Sequence, residues 1–248
     1  LGATDLEAAR IMDSLAVHYE RTNNYYRAIQ CVMTALEIKR RQGTSYEEAI
    51  SCQILGRIYI LKEEFAKAYE CLQTALTISH ELGDTKRIAR LKNDIVRIHI
   101  YLGEPDKALD LIGEVAAECQ GQDRVQYGMA LFYKAYILFS RRRHDECREL
   151  LERDVLPIFK RFEYRKGLAM ALRMAACMDH LERRETTAIE SMSEAIAIFR
   201  EEGHVDELAK TYLELGKIYV SLNEKKLAVA SMLEALKIAE FNDLTFLT

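Results

Sequence analysis

The chain of 248 residues is 49% hydrophobic and 30% charged, with 2 prolines, 11 glycines, no tryptophan and a formal net charge of −4. That is the balance of a helix-rich chain, and its negative charge argues against nucleic acid as a partner, because nucleic-acid proteins are more often basic. No apolar run approaches the ~18 residues of a membrane span, so no membrane partner is expected.

In chain order, apolar residues at i, i+3, i+4 and i+7 predict helices in pairs. They fall at 5–21 and 25–41, 45–61 and 65–82, 85–101 and 105–119, 125–140 and 144–162, 165–182 and 185–202, and 206–221 and 225–240. Gly43, Gly83, Gly121, Gly203 and Asn242 follow the second helices, where a left-handed residue closes a helix end. Pro105 sits in a first turn, where its missing N–H costs nothing. Six units result, 5–43, 45–83, 85–121, 125–163, 165–203 and 206–241, forming one array over 1–248. The opening Leu1-Gly2-Ala3-Thr4 has the character of the link Leu82-Gly83-Asp84-Thr85, which suggests a piece of a longer protein.

The second unit shows the pattern best. Its first helix carries Leu55-Gly56 with Tyr59, and its second carries Ala68, Leu72 and Ala75 on one face. The alanine that opens the second helix recurs at Ala28, Ala68, Ala108, Ala188 and Ala228, with Cys147 in the remaining slot, in steps of 40, 40, 39, 41 and 40 residues. Two short helices cannot bury their apolar faces alone, so each pair needs a neighbour stacked on it, and small residues allow the close approach. Unit four is the irregular copy. Asp154 falls where a small apolar residue is expected, Lys134 falls in a core-type slot, and Pro157 interrupts the second helix and is expected to kink it.

Leu-Gly-x-x-Tyr followed by Ala, a large apolar residue and Ala resembles the tetratricopeptide repeat, with Cys52 in place of the family's usual aromatic. The period near 40 exceeds the ~34 typical of that family. It is similar to the repeats of polarity adaptors with Leu-Gly-Asn repeats, kinesin light chains and bacterial activator sensor domains. The extra residues are expected in an added helical turn and a longer link between pairs. The resemblance implies an all-α, right-handed α-solenoid of six helix pairs, with the first helix of each pair lining a concave groove. Carried over position by position, it marks Arg10, Gln53, Arg57, Arg90, Asn93, Arg97, Phe132, Tyr136, Phe139, Arg173 and Lys217 as groove residues.

Cations outnumber anions in those positions. Arg57 and Arg97 each follow an amide, Gln53 and Asn93, by four residues, and the planar guanidinium suits bidentate pairing with carboxylates. The expected ligand is therefore an extended or helical protein segment of acidic character. The competing reading is a solvated helix face whose charge is absorbed by neighbours such as Asp94 and Glu214. The aromatic cluster around Tyr136 reads equally as a ligand pocket or as packing against the next unit.

The 6 cysteines form no Cys-x-x-Cys pair and fall mostly on helix faces, as free buried thiols in a reducing, cytoplasmic compartment would. His144 and Cys147 lack a second pair to complete a metal site, and no phosphate loop, nucleophile elbow or zinc-protease motif occurs. No catalytic residue, metal or cofactor is expected. The sequence thus predicts a non-enzymatic scaffold for a protein or peptide ligand. The alternative is a sensory or regulatory module that binds a small effector and changes curvature; RNA binding is disfavoured by the charge. Oligomeric state is left open.

Overall fold

The computed structural model describes residues 2–119 and 123–241, so the expected caps Gly121 and Asn242 lie outside the described residues. Those residues hold twelve helices and no strand. They are α1 (Gly2–Arg21), α2 (Tyr25–Arg41), α3 (Ser45–Leu61), α4 (Phe65–Glu81), α5 (Thr85–Tyr101), α6 (Pro105–Cys119) and α7 (Arg124–Ser140). Next comes α8 in three continuous segments (His144–Leu150, Leu151–Val155 and Leu156–Arg161). Then follow α9 (Arg165–Leu181), α10 (Glu185–Glu202), α11 (Val205–Ser221) and α12 (Lys225–Phe241). The helices form six consecutive pairs, as the amphipathic pattern requires. They fall into two compact units, one built from residues 1–20 and 24–133, the other mainly from residue 134 onward.

The turns explain why the helices are so even in length. Among the described residues, α2 to α5 and α7 to α11 each end in a Schellman motif, in which one residue in the left-handed region lets two N–H groups reach back to orphan carbonyls. After α3, Glu63 N–H donates to the Ile60 carbonyl (3.0 Å) and Glu64 N–H to the Tyr59 carbonyl (2.9 Å). Gly43, Gly83, Gly103 and Gly203 take the left-handed position with φ of 65 to 72°. Asn23, Glu63, Arg142, Glu163, Arg183 and Asn223 do the same at φ of 51 to 63°. These positions recur at twenty-residue steps through 23, 43, 63, 83 and 103, and again through 163, 183, 203 and 223. The links between pairs after α2, α4, α8 and α10 are therefore no longer than links within pairs, contrary to the expectation. The added length lies in the helices, most of them 17 residues long.

Unit four departs from this beat by one residue, and the chain absorbs it as a π-turn at Leu151–Val155. An inserted residue widens one turn, and the hydrogen-bond ladder slips from i−4 to i−5, as in the Leu156 N–H bond to the Leu151 carbonyl. Pro157 then falls in the first turn of the resumed α-segment, where no intrahelical N–H is needed, so the helix continues through it. The π-turn also moves the core stripe. Cys147, Leu151, Val155 and Phe159 are buried, so Val155 rather than Asp154 takes the small apolar slot. Lys134, expected in a core slot, is exposed instead.

Ala28, Ala68, Ala108, Cys147, Ala188 and Ala228 are all buried and open the core face of each second helix. Against them sit the glycines of the first helices. A Cβ on Gly56 would lie 2.7 Å from Leu72 Cγ and Cδ2 and 3.3 Å from the Ala68 carbonyl. On Gly216 it would lie 2.8 Å from Met232 Cγ and 3.5 Å from the Ala228 carbonyl. Leucine is branched where the methyl would strike, whereas methionine can swing its chain aside. Gly56→Ala is therefore expected to lower stability by about 1–3 kcal/mol. Gly216→Ala should be closer to neutral, since the ~1 kcal/mol gain in helix propensity offsets a milder clash. Urea unfolding of the two variants checks the order.

Candidate binding site

Within the first unit, the outward faces of α1, α3 and α5 carry a continuous ladder of polar side chains. Arg57 on α3 grips Glu20 on α1 with both prongs, Nε to Oε1 at 3.2 Å and Nη2 to Oε2 at 2.5 Å. Gln53 donates to Asp94 Oδ2 on α5 (3.1 Å) and accepts from Arg87 Nη1 (3.5 Å). Arg97 lies 3.7 Å from Asp94 Oδ1, one turn away on the same helix. Asn93 is buried and donates to both the backbone and side-chain oxygens of Gln126 at 3.0 Å, while its own Oδ1 is buried without a partner. Burial opposes the charge on Arg57, but Glu20 more than offsets it and holds the guanidinium above its ordinary value. At Asp94 burial prevails over Arg97 and Arg57 and pushes the carboxyl up.

The second unit repeats the arrangement with different residues. Arg173 on α9 pairs with Glu207 on α11 (2.6 Å), approaches Glu214 (3.7 Å) and lies over the Phe199 ring at 5.7 Å. Burial works against the charge of Glu207, yet Arg173, with Lys210 and Lys166, pulls its carboxyl down to about 2. Cys177 lies 3.7 Å from Glu214, and its thiol is pushed up to about 12 by burial and that carboxylate.

Most of the marked groove cations thus already hold a carboxylate. Arg10 pairs with Glu47 at 2.7 Å, Arg57 with Glu20, Arg97 with Asp94, and Arg173 with Glu207. Arg90 and Lys217 are exposed and have no ion pair among the described residues. Of the aromatics, Phe132 is buried at 4% exposure and is core, Phe139 packs edge-on against His144 (5.3 Å), and Tyr136 stands out at 46%. Three of the contacts between successive first helices share one spacing. Arg10–Glu47, Glu20–Arg57 and Cys177–Glu214 are each 37 residues apart, one repeat less three.

Residues 51–86 and 209–242 each match a family model described as tetratricopeptide repeat. The chain carries tetratricopeptide repeats. No curated protein matches it. Among solved structures it is similar to the Rap conjugation gene regulator of the plasmid pLS20 in complex with the Phr* peptide (TM-score 0.73, 15% identity, covering 96% of this chain and 64% of that one). It is likewise similar to a Rap protein complexed with competence and sporulation factor (TM-score 0.76, 15% identity, 96% and 65%). A third is aspartyl phosphate phosphatase F from Bacillus subtilis (TM-score 0.66, 12% identity, 96% and 71%). At these identities the likeness is one of fold, and the chain spans just under two thirds of the first two proteins.

The first repeat also contains an ionic cluster built on a slot that the other repeats fill without a charge. Eleven residues after the opening alanine, or twelve in the π-turned α8, the repeats place Ser79, Cys119, Phe159, Phe199 and Ala239, all buried. In the first repeat that slot holds Lys39, 0% exposed. Its Nζ reaches Asp13 Oδ2 on α1 (2.5 Å), Ser51 Oγ (2.9 Å) and the Glu47 carbonyl (3.1 Å) on α3, with Glu47 Oε2 at 3.4 Å. Ser51 in turn donates to Asp13. Three helices are pinned through one ammonium, all of whose donors are used.

All six cysteines are free; burial lifts the Cys52 thiol to about 12 and those of Cys119 and Cys147 to about 11. No cluster of three or more His, Cys, Asp or Glu able to hold a metal occurs among the described residues. No helix among them is long and apolar enough to cross a membrane.

Two outcomes follow from these ion pairs. Lys39→Met leaves Asp13 buried without its cation and should cost about 3–5 kcal/mol, most of which Asp13→Leu added to it should recover, because a buried pair replaced whole by apolar groups is near neutral. Chemical denaturation of the single and double variants measures both. For Glu207, a folded pKa below the unfolded one gives stability that is present above about 4.5 and lost as pH falls towards about 2. The stability gap between wild type and Glu207→Gln should therefore shrink across that window, as read by denaturation at a series of pH values.

Proposed function

We propose that the chain is a non-enzymatic interaction scaffold that takes up an extended or helical protein segment against the outward faces of its first helices. The observation that carries this reading is the ladder Glu20–Arg57 with Gln53–Asp94–Arg97. Polar groups set in fixed register along successive helices offer a periodic row of donors and acceptors to a chain laid across them. The fold likeness to structures whose names record a bound Phr* peptide and a bound competence and sporulation factor supports a peptide-like ligand. The six free thiols fit a reducing compartment, and we place the protein in the cytoplasm.

An acidic ligand fits Arg57, Arg97 and Arg173 only by exchange. Each guanidinium already holds a carboxylate, so an incoming Asp or Glu must displace Glu20, Asp94 or Glu207, or use the donors these leave spare. Arg90 in the first unit and Lys217 in the second can each meet an acidic residue directly, and Tyr136 in the second unit offers an exposed ring. A regulatory reading draws on one further observation, that a similar structure is of a conjugation gene regulator. In that reading the same face would bind a peptide effector and the repeats would transmit the change.

The exchange has a clear signature. Glu20→Gln releases Arg57 from its partner, so affinity for an extended Glu-rich peptide should rise several-fold, with the gain fading as salt rises through a Debye length of about 8 Å. Calorimetry at two ionic strengths reads this. Unchanged affinity at low salt would mean that Arg57 is a structural cation and that the acidic reading fails.

A further inference from the structure

The turns that follow the first helices of repeats four and five break local rules that the other repeats keep. The left-handed slot holds Asn23, Glu63, Gly103 and Asn223 in repeats one, two, three and six, but Arg142 (φ 60°) and Arg183 (φ 63°) in repeats four and five. The next residue, which opens the second helix, is Asn24, Glu64, Glu104 or Glu224 elsewhere, an acceptor or an anion suited to the positive end of a helix. Here it is Arg143 and Arg184, and neither makes a side-chain cap bond. Arginine gains nothing from a left-handed backbone and is repelled by a helix N-terminus, so the turn itself explains neither choice. Residues that break local rules in this way mark a role outside the fold.

Both turns lie in the second compact unit, at the helix ends rather than on the outward faces. Arg143 holds Glu146 with both prongs at 2.5 Å, and Arg184 holds Glu182 at 2.6 Å. Arg142 and Arg183 are exposed and have no ion pair among the described residues. Asp179, at 4% exposure, fixes the two turns in register, because it takes Arg148 from α8 and Arg184 from the second turn, each at 3.0 Å. The third turn of the unit carries Asn223 and Glu224, so the basic stretch ends after two turns.

These observations select a ligand. Each turn offers one uncommitted guanidinium, the match for the single charge of a carboxylate. A phosphate dianion calls for two cations at one point, and a nucleic acid for a track longer than two turns. Equivalent residues of successive repeats lie on the order of 10 Å apart, since neighbouring helices pack with their axes about 8–10 Å apart. Three residues of an extended chain span about 10 Å. We propose that Arg142 and Arg183 form a second docking surface, separate from the outward faces, for an extended acidic segment of a partner protein with carboxylates three residues apart. Arg143 and Arg184 raise the positive potential at each turn and so favour the encounter.

Fluorescence anisotropy of a labelled peptide of four Glu-Gly-Ser repeats, at low ionic strength, tests this. The expected Kd is below about 1 mM, and Arg142→Asn with Arg183→Asn should weaken it at least about tenfold. Asparagine suits the left-handed slot, so this variant should melt no lower than wild type, and loss of binding is then not loss of fold. Lys160→Gln with Lys237→Gln, which removes two surface cations elsewhere, should leave the affinity within about twofold. A peptide of the same composition with its glutamates consecutive should bind more weakly. Absence of binding below about 1 mM would overturn the proposal. So would equal binding by the asparagine variant, which puts the peptide on the outward faces, or equal binding of the consecutive peptide. An oligonucleotide that binds more tightly than the peptide and loses affinity in the asparagine variant would overturn the choice of a protein ligand.

Discussion

Close approach of paired helices is the constraint on which the other features depend, and it is set by what is absent from a few positions. Gly56 has no Cβ, and the space it leaves is filled by the branched end of Leu72, with the Ala68 carbonyl only slightly farther away. Helices this close bury nearly every atom between them, so the slots behind the alanine column admit only residues that fit. The same tightness accounts for the π-turn. An extra residue in α8 could have rotated its whole core face by a third of a turn; instead one widened turn takes up the excess, and Val155 and Phe159 return to register. A backbone irregularity preserves a packing regularity.

Charge obeys the same economy of space. A lysine at full burial survives at position 39 because three helices converge on it with a carboxylate, a hydroxyl and a carbonyl, leaving no donor unused. The other repeats fill that slot with serine, cysteine, phenylalanine or alanine, so the ionic version marks one repeat as different from its copies. Along the outward faces the ions alternate in sign. Glu20, Arg57, Asp94 and Arg97 neutralise one another within the ladder, which keeps the surface polar and ordered without leaving a strong net field. A ligand there meets oriented hydrogen-bonding groups more than bulk charge.

How much of this was legible in the sequence follows from periodicity. Alanines at steps near 40 residues disclosed the pairs and placed helix ends within a residue or two, apart from the start of α1, which lies three residues earlier, because a 3.6-residue pattern bounded by turns has few other solutions. The left-handed turns at Glu63, Arg142, Glu163 and Arg183 were not legible. Their side chains carry no preference for that conformation and are held there by the pair of Schellman bonds. Asp154 was misplaced because the count assumed an unbroken α-helix through α8; Lys134 precedes the π-turn, on α7, where its neighbours Tyr133 and Ala135 are buried and it is exposed. Among the site residues, the positions of the groove arginines could be marked, but not their state. Pairing Glu20 with Arg57 depends on how far one repeat is displaced from the next, a quantity visible only as the recurring separation of 37 residues.

That separation also says why Arg10 and Arg57 pair between neighbouring repeats, whereas Arg97 finds Asp94 on its own helix. A partner at i+4 on one helix would be solvent-facing and worth a few tenths of a kcal/mol. A partner 37 residues away lies on the adjacent first helix, so the Arg10–Glu47 and Arg57–Glu20 pairs tie two repeats together across the outward face while their alanine columns tie them across the core. Glu20 shows the consequence most directly: its two oxygens are both committed to Arg57, and any ligand that pulls the guanidinium away loosens the contact between α1 and α3 at the same moment. Binding at this face and stacking of the first two repeats are therefore linked through one carboxylate, and the sign of that linkage is negative unless the ligand supplies a second carboxylate bridge of its own.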